Sequence, residues 1–165
     1  MNSQNLRTTA TKSCALVVKV GNNLQSPLLL VMRLWWGRSF MQTGWAKLTH
    51  HGDFVGQFAE WGIPFPSLNV WVAASAECLG GLCLLVGFAS RLMCIPLSIT
   101  MIVAYLTADR EALQSIFSDT DKFTSATPFL FLLTCLIVLA FGPGAFSVDR
   151  LLARKFSPAP VNGRG

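Results

Sequence analysis

The sequence predicts an all-α polytopic membrane protein, a four-transmembrane-helix bundle with both termini in the cytoplasm. Three observations lead there. Of 165 residues, 52% are hydrophobic and only 13% are charged, whereas a soluble domain carries about 25% charged residues. Four apolar runs are long enough to cross a bilayer at about 20 residues each, and none shows the apolar–polar alternation of a barrel strand, so they are helices. The basic residues also collect on one side of those runs. Arg7, Lys12, Lys19, Arg91, Arg150, Arg154, Lys155 and Arg164 fall on the side of the termini, against Lys47, Arg110 and Lys122 on the other. The net charge of +5 therefore reflects topology, and no nucleic-acid partner is expected.

Residues 1–26 read as a loosely ordered cytoplasmic tail, because Lys19 interrupts the short ALVV run and no secretory signal core is present. The membrane domain covers 27–152, with spans at about 28–48, 68–88, 92–108 and 125–142. The third and fourth are free of charge, between Arg91 and Asp109 and between Lys122 and Asp149. Pro27, Pro64 with Pro66, and Pro128 lie near the starts of three segments, where a missing N–H costs little. Pro96 sits inside the third span and is expected to bend it. In the outer connection 49–67, Phe54, Val55, Phe58, Ala59 and Trp61 form an apolar stripe. That stripe suits either a helix resting on the headgroups or a lid over a cavity. Leu113, Ile116 and Phe117 do similar work in 109–123. Residues 153–165 read as a flexible cytoplasmic tail.

The first two spans carry charge within the hydrocarbon: Arg33 and Arg38 in one, Glu77 in the other. A lone charge there costs about 2.5–3.5 kcal/mol on insertion scales, so each is expected to face a partner or water inside the bundle. At 1.5 Å per residue, Glu77 and Arg38 lie roughly 14–15 Å below the outer ends of their antiparallel spans, and Arg33 roughly 22 Å below. A buried Arg33/Arg38/Glu77 cluster follows. Trp35 and Trp36 flank it, and an aromatic wall beside Arg donors would suit a flat quinone ring. The plainer alternative is an ion pair that fixes helix register while the second Arg reaches the inner headgroups. Gly37 and Gly44 on the first span, with Gly80, Gly81 and Gly87 on the second, allow close approach of the two helices. Lys47, Trp45, Trp61 and Trp71 fall at the outer boundary, as interfacial anchors.

Cys14, Cys78, Cys83, Cys94 and Cys135 show no CxxC spacing, and His50 and His51 are adjacent in an outer loop. No haem and no metal site is expected, the two histidines reading as solvated, with an outer His50–His51–Asp53 metal site as the alternative. Cys83 and Cys94 flank one turn, and their approach would suit sulfur chemistry. No P-loop, dinucleotide fingerprint, HExxH or nucleophile elbow is present. A non-catalytic subunit is thus expected in preference to a self-contained oxidoreductase, with no intrinsic cofactor beyond a bound quinone.

The run RLWWGRSFMQTGWAKL, with Arg33, Gly37, Phe40, Gly44, Lys47 and Leu48, resembles the first span of the DoxX family of bacterial four-helix membrane proteins. WGIP, AECLGG, GFASR and FGPGAFSVDRLL continue the resemblance in order, over about residues 28–152. Arg38 departs from it, standing where an apolar residue is expected. The resemblance implies a multi-pass protein of the bacterial inner membrane. It also implies an accessory or anchoring subunit of a respiratory or redox-stress complex, quinone- or sulfur-linked, with other membrane or peripheral redox proteins as partners. Members resemble components of thiosulfate:quinone oxidoreductases and of complexes gathering a superoxide dismutase and a sulfurtransferase. The alternatives are a stand-alone small-ligand-binding or carrier protein and a purely structural subunit. A homo-oligomer is compatible with each.

Overall fold

The computed structural model describes residues 3–156, which form eight helices and no strand. The first, α1, runs from Ser3 to Thr49, roughly 70 Å at 1.5 Å per residue. A short α2 (His51–Glu60) follows, then α3 (Pro66–Val86) and α4 (Ser90–Leu106). Two brief helices, α5 (Arg110–Gln114) and α6 (Thr120–Ser125), lead into α7 (Thr127–Phe141), and α8 (Val148–Phe156) closes the described chain. Among the described residues α3 is the one helix that is both long and apolar enough to cross a membrane; α4 and α7 are apolar but shorter.

The two tails differ from expectation. Residues 3–26 continue α1 instead of forming a loose segment, because extending an existing helix avoids the nucleation cost. Pro27, expected at a helix start, lies inside α1, where it removes one backbone donor. At the other end, α8 carries the chain through Phe156, and the rest of the predicted tail, 157–165, lies outside the described residues.

α1 packs against α3, α3 against α4, and α4 against α7, while α7 also meets α1. The α1–α3 contact is close because glycines face backbone. A Cβ on Gly81 would lie 2.7 Å from the Gly37 carbonyl oxygen, and one on Gly44 2.7 Å from the Cys78 nitrogen. The core between the helices is Phe40, Leu84, Cys94, Leu97, Met101, Phe131, Cys135 and Val138. The rings of Trp36 and Phe40 both meet the ring of Phe131 edge-on, at 4.8 and 4.6 Å. Outside this core the helices are apolar as well: Val31, Trp35, Leu79, Leu92, Ile95, Leu136 and Phe141 are all exposed. A soluble monomer rarely leaves so extended an apolar surface uncovered.

Candidate ligand-binding site

Two polar constellations lie at opposite ends of the helix cluster. At the end carrying the α3–α4 turn, Arg33 is only 1% exposed. Its Nε donates to the Leu84 carbonyl at 2.9 Å and its Nη2 to the Leu85 carbonyl at 3.3 Å. These are two of the last four carbonyls of α3, which have no partner within their own helix. Its Nη1 donates to Phe146 at 3.1 Å and also to Pro143. One guanidinium thus caps α3 and holds the 142–147 loop. Asp149 complements it. Its Oδ1 and Oδ2 accept from the backbone N–H groups of Ala89 and Ser90 at 2.7 and 3.2 Å, and its own N–H donates to the Gly87 carbonyl. Ala89 has φ +46°, a left-handed conformation that disfavours a side chain. Gly87, at φ +74°, has no room for a Cβ beside the Arg33 guanidinium.

At the other end, Lys47 Nζ donates to Glu77 Oε2 at 2.6 Å. Glu77 is 2% exposed. Its Oε1 has no hydrogen-bond partner among the described residues, yet it is not one of the enclosed unpaired atoms, which are Ser90 Oγ and Ser98 Oγ. It is therefore open to the adjoining cavity. The pair forms the polar floor of that cavity, about 320 Å³ in volume, whose walls come from α1 (Thr43), α2 (Phe54, Phe58), α3 (Ala73), α4 (Thr100, Ala104) and α7 (Phe131). The lining is otherwise mostly apolar and aromatic, and Lys47 Nζ stands 5.8 Å from the centre of the Phe54 ring. A few fixed polar groups in an apolar concavity of this size is the usual make-up of a small-molecule site.

The predicted Arg33/Arg38/Glu77 cluster does not assemble. Glu77 is paired with Lys47, Arg33 caps α3 more than a turn away, and Arg38 is exposed. Trp35, 69% exposed, points outward with Arg38, while Trp36 packs on Phe131. Trp45 and Trp71 are exposed, and Trp61, also exposed, lines the cavity rim. Cys94 lies against Cys135 of α7 instead of approaching Cys83. His50 contacts Thr49, and the His51 ring lies tilted beside that of Trp71, their centres 5.0 Å apart. Sequence reasoning gave Lys47 only an interfacial role, although the signal was present. Arg33, Gly37, Phe40, Gly44 and Lys47 recur every three or four positions, so they share one helix face, and Arg38 does not belong to it.

A helical chain with buried ion-pairing inside and apolar residues outside defines a membrane protein. The chain matches the DoxX family model over residues 28–110, and it belongs to the DoxX family. The closing segment that resembles the family, up to about 152, lies beyond the matched residues. The chain is also similar to an uncharacterized membrane protein of Mycobacterium tuberculosis, 28% identical over 136 residues that cover 78% of this chain and 83% of the relative. No solved structure matches the chain.

Proposed function

We propose that this protein is a multi-pass inner-membrane protein whose α1, α3, α4 and α7 each cross the bilayer, and that it binds a small ring-bearing ligand in the α2-covered cavity. The observation behind this reading is the Lys47–Glu77 pair at the floor of a mostly apolar and aromatic space. An ammonium donor suits a ligand carbonyl, and Phe54, Phe58 and Phe131 suit its ring faces. A quinone meets both requirements, now at Lys47 and not beside Arg33. The positive-inside bias puts the α3–α4 turn in the cytoplasm and α2 at the outer face. In an accessory subunit of a redox-linked complex, such a seat would hold the quinone while a partner carries the electrons.

The test is thermal unfolding in mild detergent with tetramethyl-p-benzoquinone, which has no free ring position for thiol addition. A ligand that binds the native state at about 100 times its Kd stabilises by about 2.7 kcal/mol. A raised Tm in the wild type, lost in Lys47→Met, is the expected result. No shift in the wild type would remove the reading.

A further inference from the structure

We infer that the cavity opens sideways into the outer leaflet between α3 and α4, so that its ligand is a lipid-phase amphiphile with a hydroxyl-bearing ring and an alkyl tail. This rests on the binding reading above. α3 and α4 leave a tight turn at Gly87–Ala89 and touch where Gly80 faces Leu97, a Cβ there lying 2.8 Å from the Leu97 side chain. One turn further, Glu77 of α3 and Thr100 of α4 both line the cavity. Pro96, just before this point, removes the N–H that would bond one turn back, which eases divergence of α4.

The opening faces lipid. Val72, Ile99 and Val103 line the cavity and are also 57%, 55% and 40% exposed, so they frame a mouth whose rim is apolar. Toward the α2 end the space is roofed instead, with Phe58 8% exposed and Phe54 half-buried.

Volume and polarity select the occupant. About 320 Å³ is at the small end for ligand sites: it admits a ring but not a ring with a long tail, so a tail must leave through the mouth. At the floor, Lys47 offers N–H donors and Glu77 Oε1 an acceptor. A hydroxyl, which accepts from the one and donates to the other, satisfies both.

The experiment is thermal unfolding in phosphatidylcholine nanodiscs with p-cresol, p-hexylphenol and p-decylphenol at equal mole fraction in the lipid. The expected result is an equal rise in Tm for all three in the wild type. In Val72→Trp/Val103→Trp, which narrows the mouth, the p-decylphenol response is lost and the p-cresol response falls less. A wild-type response that disappears as the tail lengthens overturns the sideways opening, as does a mouth variant that still responds to p-decylphenol. Should the mouth variant respond to neither phenol, the tail series in the wild type decides. If p-cresol gives no rise in the wild type while tetramethyl-p-benzoquinone does, the hydroxyl-bearing ligand is overturned; if neither does, the binding reading fails instead.

Discussion

Lys47 and Glu77 illustrate how a buried charge survives in an apolar setting. Removing one partner strands the other, which typically costs about 3–5 kcal/mol, whereas replacing both with apolar groups is often close to neutral. Lys47→Met is therefore expected to lower stability by that amount, and Lys47→Met/Glu77→Leu by much less; chemical unfolding in detergent measures both, and additive losses would contradict the pairing. Arg33 answers to a different rule, since what it supplies is a rigid fork of donors. Arg33→Lys keeps the charge but cannot serve four carbonyls, so a loss of about 1–3 kcal/mol for each one stranded is expected from the same assay. At the surface, Lys122 bonds Glu111 at 2.9 Å and holds its carboxyl below the ordinary value, by the hydrogen bond first and charge second. A lowered folded value means the interaction is complete above the ordinary carboxylate range and is lost as pH falls through the lowered one. In Lys122→Ala, carboxyl NMR is expected to show Glu111 titrating higher, and an unchanged titration would dissociate the two groups.

The helices themselves were largely readable, because charges and prolines bracket them: α3, α4 and α7 fall within two residues of three predicted segments. The extension of α1 to Ser3 was not, since nothing in the apolar pattern of residues 3–26 distinguishes a helix propagated from a neighbour from a coil. The site was half readable. Glu77 is buried as expected, but the predicted pairing took the helices as rods with matched ends, whereas glycine contacts set the α1–α3 register. With Gly37 beside Gly81 and Gly44 beside Ala74 and Cys78, Glu77 stands opposite the segment leading to Lys47 and well away from Arg33. That register is testable. Gly81→Ala forces a Cβ into the α1 backbone and is expected to cost about 1–3 kcal/mol. Gly56→Ala in α2 meets nothing within 4 Å and is expected to be neutral or stabilising by up to about 1 kcal/mol. Equal effects in thermal unfolding would argue against close α1–α3 contact.

Taken whole, the molecule separates its duties by end: one end is locked by backbone capping, and the other holds the cavity. The lock joins remote parts of the chain. Arg33 on α1 reaches Leu84 on α3 and Phe146 near the C-terminal side, and Asp149 on α8 reaches Ala89 and Ser90 at the head of α4. During synthesis, then, the first N–H groups of α4 wait for a carboxylate made some sixty positions later. That end cannot seal until synthesis has passed Asp149, so the fastening comes late, well after α4 itself has been made.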